Sequence, residues 1–518
     1  MRHFIGRAAV AAVLLLAACG GDSPTAPIDD GGPGGGGGGE NVVVPAIPRE
    51  FRGLWIATVA NIDWPSRSGL AVEAQQSELI NILDRAQTLR LNAVLLQIRA
   101  AGDALYPSNL EPWSRSLTGT QGANPGWDPL AFAVTQAHAR GIELHAWFNP
   151  FRAGNLSDSL LRAPTHFSRT RPDLSRAYCT QRWFDPGEAD VHTHTFAVIR
   201  DVVRRYDIDA VHLDDYFYPY PDSRCAGLQF PDSSSYARYV AQGGALTRDN
   251  WRRDNVNRFV EQLQREVRLE SRTVRVGISP FGIWRPGTPT GIVGLDSYAS
   301  IFADSRLWLN RGWVDYLSPQ LYWARSSSGQ PFNTLLDWWA TQNTMQRHLW
   351  PGLAAYRVAD GSASAFAASE IEGQIASTRS RVNVTGGPTG AILYNTTSVM
   401  QNRGGLSTLL EASVYASDAV VPASPWLDAS QPVAPVFTVG AAAAAGTRSV
   451  RVTSAPDAVV RWWLVRWRDG NAWRSRLLPS GTTTVSVPAD NAGRAVSAIA
   501  VQAISRSGVA SAPTPWTP

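Results

Sequence analysis

Residues 209–219 read Asp-Ala-Val-His-Leu-Asp-Asp-Tyr-Phe-Tyr-Pro, and no other stretch bears more directly on the fold. An apolar run typical of a buried strand ends in two adjacent carboxylates, Asp214 and Asp215, and an aromatic cluster. Ionised carboxylates are poorly tolerated in apolar surroundings unless they are paired, hydrogen-bonded or shifted in pKa. The stretch therefore predicts a strand that carries acidic side chains to a functional site.

Eight strand-like segments, including this one, alternate with amphipathic stretches over residues 47–425. Such alternation indicates parallel strands joined by helices, and eight units predict a (β/α)8 TIM barrel of the α/β class. An open, doubly wound sheet is the competing fold, but no glycine-rich phosphate loop follows any strand. The predicted strands are 53–59, 93–98, 142–149, 209–216, 273–280, 315–323, 348–356 and 391–395.

The last portion of the chain, residues 432–518, has a different character. Strand-like segments at 449–454, 459–468, 483–487 and 495–504 are separated by turn signals such as Asp469-Gly470-Asn471. We expect a small all-β sandwich, similar in architecture to fibronectin type III modules. A spacer role, a glycan-contact role and plain structural support are all consistent with it.

The chain starts with the pattern of a bacterial export signal. The apolar run 8–18 is too short to span a bilayer, and Leu16-Ala17-Ala18-Cys19 resembles a lipobox. Residues 1–19 are therefore predicted to be a lipoprotein signal with Cys19 as the lipidated residue, although an ordinary signal peptide is the alternative. Residues 20–46, rich in Gly and Pro, predict a flexible tether. The expected location is the cell envelope, lipid-anchored in the outer membrane and facing the periplasm.

Two further cysteines, Cys179 and Cys225, flank the stretch 209–219. An oxidising periplasm permits a disulfide between them, which would tie two loops near the predicted site together. Two free thiols are the alternative, and the sequence leaves both open.

The composition excludes some functions. The net charge is +4 at pH 7 and all 47 basic residues are Arg, which excludes a lysine nucleophile or Schiff base. No clustered basic face is evident, so nucleic acid is not an expected partner. The 20 Trp residues suit stacking on sugar rings, although core packing accounts for most of them.

Side chains alternate along a strand, so every second residue shares a face. On several predicted strands one face is apolar and suits the outer helices. The other face is mixed and points toward the C-terminal mouth, where barrel enzymes place their chemistry. The mixed faces hold Gln97 and Arg99; His145, Trp147 and Asn149; His212, Asp214 and Tyr216; Ser318, Gln320 and Tyr322; and Asn395. Agreement among several strands predicts a binding site at the mouth.

Hydrolysis of a glycosidic bond usually takes two carboxyl groups, one protonating the leaving oxygen and one supporting the oxocarbenium-like centre. Asp214 is predicted to point into the mouth as nucleophile or electrostatic stabiliser. Asp215 points the other way in an ideal strand but reaches the site if the backbone turns at the strand end. Glu111, in the loop after the second strand, is the alternative partner, and Asp63 and Asp103 are further loop acids. Assistance by the substrate's own acetamido group is also open.

A metal site is the rival use of this polar face, because His145 and His212 lie on neighbouring strands near Asp214. No HExxH motif or comparable ligand spacing is present, and His192 and His194 are two residues apart, which does not place them on one helical face. We therefore expect neither a metal nor a cofactor.

Eight short motifs occur in order between residues 49 and 420. They are Glu50-Phe51-Arg52-Gly53-Leu54-Trp55, Ile62-Asp63-Trp64-Pro65, Tyr106-Pro107-Ser108, Glu111-Pro112-Trp113-Ser114, His145-Ala146-Trp147-Phe148-Asn149-Pro150, Leu213-Asp214-Asp215-Tyr216-Phe217-Tyr218-Pro219, Ser279-Pro280-Phe281-Gly282-Ile283-Trp284-Arg285 and Ser318-Pro319-Gln320-Leu321-Tyr322-Trp323. Together they resemble the glycosyl-hydrolase-like family-ten lipoproteins of bacteria. The resemblance implies a TIM-barrel hydrolase linked to the sugar backbone of peptidoglycan, with the acidic pair at the fourth strand.

We therefore expect a glycoside hydrolase that cleaves peptidoglycan glycan strands or a related 2-acetamido polysaccharide, with Asp214 and either Asp215 or Glu111 as catalytic residues. The alternative is a non-catalytic glycan-binding lipoprotein that tethers the outer membrane to the cell wall. A hydrolase of plant or storage polysaccharide is a third candidate. The predicted substrate-binding residues are Gln97, Arg99, Trp147, Asn149, Arg152, His212, Tyr216, Gln320, Tyr322 and Trp323.

Overall fold

The computed structural model of the chain describes residues 42–443, 446–454, 459–491 and 494–518. The predicted signal peptide with Cys19, and the predicted tether up to residue 41, lie outside the described residues. Val43–Pro518 pack together as one unit. No helix in the described ranges is long and apolar enough to cross a membrane.

Eight parallel strands follow one another around a barrel. They are Phe51–Ile56, Ala93–Arg99, Glu143–Phe148, Ala210–Leu213, Arg275–Ile278, Tyr316–Leu317, a seventh strand in two parts (His348–Leu349 and Gly352–Ala354), and Gly390–Tyr394. The first part of the seventh strand pairs with the sixth strand, and the second part pairs with the eighth, which in turn pairs with the first. A bridge from Gln320 to Gly352 joins the two sides. The predicted (β/α)8 barrel is confirmed.

Helices connect the strands and cover the outside of the barrel. The α-helices are Val72–Thr88, Arg115–Thr118, Pro129–Ala139, Phe167–Thr170, Ala189–Arg205, Ser233–Ala241, Arg248–Glu270, Ser297–Ser300, Ser305–Asn310, Phe332–Gln342, Ala368–Arg379, Thr396–Met400 and Leu406–Ala412. Short 3-10 helices span Val59–Asn61, Leu156–Asp158, Pro172–Leu174, Ser223–Cys225, Ala355–Arg357 and Arg403–Gly405. In the helix Ala189–Arg205, Phe196 stacks on Phe259 of the helix Arg248–Glu270, with ring centroids 4.8 Å apart.

Large rings fill the inside of the barrel. Phe51 stacks on Trp350 with ring centroids 3.7 Å apart, and Tyr316 lies beside both rings. Gly277 has to be glycine, because a Cβ there would meet the Tyr316 ring at 1.9 Å. The aliphatic residues of the opposite strand face, such as Val211 and Leu213, join the separate core beneath the helices. The alternation predicted from the sequence therefore separates the two cores.

The C-terminal region forms antiparallel sheets that pack face to face. One sheet contains Phe437–Ala442, Thr447–Val452 and Thr484–Pro488; the other contains Ala472–Pro479, Val460–Asp469, Arg494–Ser505, Asp490–Asn491 and Thr514–Trp516. Trp463 and Val465 enter the core between these sheets, whereas Trp462 and Leu464 pack against Val420 at the base of the barrel. One strand thus serves two interfaces through its period of two.

The segment that leads into the first strand also lies at this base. Ile47 packs with Val420 and Trp462, and the carbonyl of Pro45 accepts a hydrogen bond from Arg466 of the C-terminal sheets. Arg49 donates to the carbonyl of Val421 (3.1 Å). The described chain therefore enters the barrel between its base and the C-terminal sheets.

A small antiparallel sheet projects from the loop after the third strand. Its strands are Arg152–Asn155, Ser175–Tyr178 and Gln181–Phe184. Cys179, in the turn between the last two, forms a disulfide with Cys225 in the loop after the fourth strand, with Cα atoms 5.7 Å apart. Of the two alternatives that the sequence left open, the structure has the disulfide.

Candidate active site

A cavity of about 400 Å³ opens at the C-terminal end of the barrel. The fourth strand ends at Leu213, so Asp214 and Asp215 follow it directly, and both line the cavity. The other lining residues are mostly aromatic: Trp55, Trp147, Tyr216, Tyr220, Ser279, Phe281, Gln320, Tyr322 and Tyr394. Aromatic walls with a few placed polar groups are typical of small-ligand sites, and flat rings suit the apolar faces of sugars.

Asp214 and Asp215 interact directly. The backbone N–H of Asp215 donates to Oδ1 of Asp214 (2.8 Å), and Nε2 of Gln320 lies 3.4 Å from the same oxygen. The hydroxyl of Tyr220 donates to Oδ2 of Asp215. The two residues are only 8% and 6% exposed. A hydrogen bond also joins the two side chains, so their carboxyl groups are neighbours and do not face each other across the cavity.

The surroundings favour a proton on Asp214. Burial raises the pKa of Asp214 well above its ordinary value, and the neighbouring charge of Asp215 raises it further. Burial also raises the pKa of Asp215, but hydrogen bonds from Asp214 and Tyr220 oppose that rise. When two carboxyl groups share a site, one keeps its proton after the other has ionised. The arrangement therefore favours a protonated Asp214 beside an ionised Asp215.

A chain of hydrogen bonds supports the floor of the cavity. Trp55 Nε1 can only donate, so Nε2 of His212 accepts (3.1 Å) and Nδ1 of His212 donates to the hydroxyl of Tyr316 (3.0 Å). That hydroxyl in turn donates to Nδ1 of His145 (3.0 Å), whose Nε2 donates to Glu143 (3.2 Å). Burial lowers the pKa of His212 well below its ordinary value, which agrees with a neutral ring.

This series of hydrogen bonds also bears on the alternative of a metal site. Both His145 and His212 are engaged with Tyr316, and the hydrogen-bond partners of His212 among the described residues are Tyr316, Trp55 and Ser279, none of them a carboxylate. Within the described part of the chain, no three His, Cys, Asp or Glu side chains are grouped so as to hold a metal ion. The two histidines act here as hydrogen-bonding supports of the interior.

Six of the predicted site residues line the cavity. They are Asp214, Asp215, Trp147, Tyr216, Gln320 and Tyr322. Asp215 reaches the cavity because the strand ends two residues before it, so strict alternation no longer applies. Gln320 donates to the carbonyl of Ser279 (2.9 Å), which fixes its amide beside Asp214.

Three predicted residues near the second strand lie elsewhere. Arg99 and Glu111 form a fully buried ion pair (2.5 Å), and neither lines the cavity. The reason is a register shift between Gln97 and Arg99: Gln97 pairs with Trp147, but Arg99 pairs with Phe148, a residue of the outer core. Such a bulge moves the following side chain to the other face. Gln97 itself accepts from the backbone N–H groups of Thr58 and Val59 (3.0 and 2.8 Å).

The remaining predicted residues surround the cavity without lining it. Asn149 is buried and accepts from Trp147 Nε1 (3.2 Å), so it orients that ring. His212 lies beneath the floor, and Trp323 packs edge-to-face on Phe281 with centroids 5.7 Å apart. Arg152 lies outside the lining, with its guanidinium carbon 5.7 Å from the centre of the Tyr216 ring. Cys19 lies outside the described residues.

Five lining residues were not among those expected: Trp55, Tyr220, Ser279, Phe281 and Tyr394. Trp55, Ser279 and Tyr394 occur on or just after predicted strands, so the same alternation rule extended to those strands would have found them. Tyr220 and Phe281 lie in loops, where alternation gives no signal. Asn395, expected at the mouth, caps the helix Thr396–Met400 through its side chain.

A β/α barrel with paired carboxyl groups in an aromatic cavity defines a glycoside-hydrolase-like protein. The chain belongs to the family Glycosyl hydrolase-like 10, whose model matches residues 50–367, and the family resemblance seen in the motifs is confirmed. It is 39% identical over 398 residues to Glycosyl hydrolase YngK of Bacillus subtilis (strain 168), covering 75% of this chain and 76% of that protein. It is 34% identical over 333 residues to Glycosyl hydrolase DigH of Escherichia coli (strain K12), covering 60% of this chain and 74% of that protein. The solved glycoside hydrolase domain of PgaB (BpsB) from Bordetella bronchiseptica aligns with a TM-score of 0.46 and 15% identity, covering 70% of this chain and 98% of that one.

Proposed function

We propose that this protein hydrolyses O-glycosidic bonds in a polysaccharide of 2-acetamido sugars, namely the glycan strands of peptidoglycan. The observation that carries the proposal is the side-by-side pair Asp214 and Asp215 in an aromatic cavity at the mouth of the barrel. The relatives YngK and DigH, both named glycosyl hydrolases, support the reaction class. The motif resemblance supports peptidoglycan glycan as the substrate.

Asp214 is proposed to protonate the leaving oxygen. It holds its proton because it is buried beside Asp215. A proton donor must be protonated at the working pH, and a raised carboxyl pKa serves that need. After the bond breaks, the ionised Asp214 can take the proton from the water that completes hydrolysis.

The proposed nucleophile is the carbonyl oxygen of the substrate's own 2-acetamido group. In the two common glycosidase mechanisms the carboxyl groups flank the bond, about 5–5.5 Å apart in retaining enzymes and roughly 6.5–9.5 Å apart in inverting ones. The carboxyl groups of Asp214 and Asp215 are hydrogen-bonded neighbours, and no other carboxylate is among the described residues that line the cavity. Attack by the acetamido oxygen on C1 needs only one acid, together with a group that orients the acetamide. Asp215, fixed by Tyr220, is proposed for that second role.

The test is mass spectrometry of products from purified, soluble peptidoglycan glycan strands, with xylan and a neutral β-glucan as matched substrates. We expect fragments from the acetamido glycan and none from the neutral polymers. A thiazoline analogue of the cyclised acetamido intermediate should inhibit competitively. Cleavage of the neutral polymers would overturn the acetamido mechanism, and binding of glycan without any fragments would favour the non-catalytic alternative.

We also propose that the protein is lipid-anchored in the cell envelope through Cys19. The support is the sequence Leu16-Ala17-Ala18-Cys19 behind an apolar run. Metabolic labelling with a fatty-acid analogue should mark the wild type and fail to mark Cys19→Ala. Equal labelling of the two proteins would refute the proposed anchor.

A further inference from the structure

A second cavity, of about 350 Å³, lies beside the first at the same end of the barrel. It is formed by the loops after the first three strands and is polar, with Asp103, Ser114, Gln121, Arg152, Asp158 and Arg162 among its lining residues. Arg152 lines this cavity, while its guanidinium carbon lies 5.7 Å from the ring centre of Tyr216, which lines the first. The pair Arg152 and Tyr216 therefore forms the border between the two cavities.

The guanidinium of Arg152 has no hydrogen-bond or ion-pair partner among the described residues. Its Nε has no accessible surface and no acceptor. Asp214 is close enough to feel its charge, but no hydrogen bond joins the two side chains. A buried donor without an acceptor is costly, and a guanidinium has five N–H groups to satisfy.

The carboxylates that line the second cavity are already engaged. Asp103 accepts from the backbone N–H of Ala101 (3.2 Å) and from Gln121 (3.3 Å), and Asp158 pairs with Arg115 (2.9 Å). Arg162, only 7% exposed, donates to the carbonyl of Ala153 (3.2 Å) and forms no ion pair within the described residues. The lining thus holds three arginines and two aspartates, a net charge of +1, with Arg162 buried and Arg152 half-buried.

We propose that the second cavity is a subsite for a sugar that carries a carboxylate, and that Arg152 is the residue that binds this carboxylate. Guanidinium and carboxylate match each other geometrically, and the resulting bidentate hydrogen bonds are charge-assisted. The border position of Arg152 places the anionic sugar next to the sugar held in the Asp214 cavity. The inference rests on the proposed function in taking the ligand to be a polysaccharide, but it concerns binding and not bond cleavage.

The test measures binding to the Asp214→Asn protein, so that the ligand stays intact. Isothermal titration compares a peptide-free tetrasaccharide of alternating N-acetylglucosamine and N-acetylmuramic acid with chitotetraose, which has the acetamido groups but no carboxylate. A hyaluronan tetrasaccharide, which carries a uronate in place of the lactyl carboxylate, distinguishes the two sources of the anion. We expect at least one of the two carboxylate-bearing tetrasaccharides to bind roughly tenfold to a hundredfold more tightly than chitotetraose. This is the range that a charged hydrogen bond contributes.

The second variant in the same background is Arg152→Gln. It should remove the preference for the carboxylate and leave the affinity for chitotetraose within about twofold, whereas Arg152→Lys should keep part of the preference. The control is Arg285→Gln, an arginine paired with Asp296 outside both cavities, which should keep the full preference.

Equal affinity for neutral and anionic ligands, or an undiminished preference in Arg152→Gln, overturns the subsite. So does a failure of all the tetrasaccharides to bind. These outcomes are independent of the proposed reaction, because a protein that cleaves nothing can still show the preference, and an active hydrolase can lack it.

Discussion

Nη2 of Arg461 lies 2.8 Å from Oδ1 of Asp209, so a side chain of the C-terminal sheets neutralises the carboxylate at the base of the fourth barrel strand. Asp214 follows the other end of the same strand. Asp209 also accepts from His138 (2.9 Å) and from the backbone N–H of Leu144 (2.8 Å). The C-terminal sheets therefore contribute directly to the structure of the barrel.

Arg461→Ala should destabilise the whole protein. It removes the guanidinium from a buried carboxylate, and breaking a buried pair costs about 3–5 kcal/mol. Chemical unfolding should show the loss, and limited proteolysis should release the C-terminal sheets early. The matched control is Arg506→Ala, whose pair with Asp207 is 37% and 47% exposed on its two sides, so it should cost less than about 1 kcal/mol. Equal losses in the two variants would contradict the role of Arg461.

Asp214→Asn should abolish glycan cleavage without unfolding the protein. The amide cannot supply the proton, and a general acid typically accounts for about 10²- to 10⁴-fold in rate. The thermal midpoint should stay within about 2 °C, because a neutral amide replaces a carboxyl group of similar shape that is already protonated in the folded protein. Asp304→Asn is the control: this residue caps a helix and accepts from Trp284 (3.0 Å), roles that Asn can keep. Unaltered turnover in Asp214→Asn would contradict the assignment of Asp214 as the proton donor.

The pH profile should report the acid pair. Activity is expected to fall as the pH rises through the raised pKa of Asp214, because the proton donor is then lost. Asp215→Asn removes the neighbouring charge, so the pKa of Asp214 should fall and the alkaline limb of kcat against pH should move to lower pH. A limb that stays in place in this variant would show that Asp215 does not set the pKa of Asp214.

Glu111→Gln should affect stability more than catalysis. Burial alone would raise the pKa of Glu111, but the charge of Arg99 and a hydrogen bond from His194 hold it at about 2. Its folded pKa is lowered, so its contribution is present above about pH 4.3, the unfolded value, and is lost as the pH falls toward 2. At neutral pH the variant should lose about 3–5 kcal/mol, because Arg99 keeps a buried unpaired charge. A variant with normal stability but no turnover would restore Glu111 as a catalytic candidate.

Removing the disulfide should loosen the loops beside the cavity. Cys179 and Cys225 are 46 residues apart in sequence, and the enclosed loop contains the acid pair and Tyr220. The chain-entropy relation gives about 4 kcal/mol for a loop of this length. The double variant Cys179→Ser with Cys225→Ser should unfold at lower denaturant concentration and show a raised KM. Treatment of the wild type with a reductant should reproduce the effect, and should not change the double variant.

The sequence predicted the barrel well because its strands repeat one simple pattern. Alternation along the third, fourth and sixth strands, continued beyond the ends of the last two, predicted Trp147, Asp214, Gln320 and Tyr322 at the cavity. Alternation failed at Arg99, because a bulge changes the phase and nothing in the residue types marks it.

Long-range contacts account for most of the other differences. Glu111 is a plausible catalytic acid by position, yet its pairing with Arg99 and His194 depends on loops and a helix far apart in sequence. Four strands of the C-terminal sheets, Phe437–Ala442, Ala472–Pro479, Asp490–Asn491 and Thr514–Trp516, were not expected. These strands are held by pairing with neighbours, and Ala472–Pro479 has a mixed sequence, AWRSRLLP, without the β-branched residues that mark a strand.

The contacts between the barrel base and the C-terminal sheets also bear on where a mechanical force would enter the molecule. Pro45 and Ile47 are held by contacts with the barrel base and the C-terminal sheets. A pulling force applied at Val43 would therefore act first on these contacts. The loops that carry Asp214 and Tyr220 are at the far end of the strands. A tension on the N-terminal side of the described chain would therefore reach the barrel base and the C-terminal sheets before it reached the cavity at the opposite end of the strands.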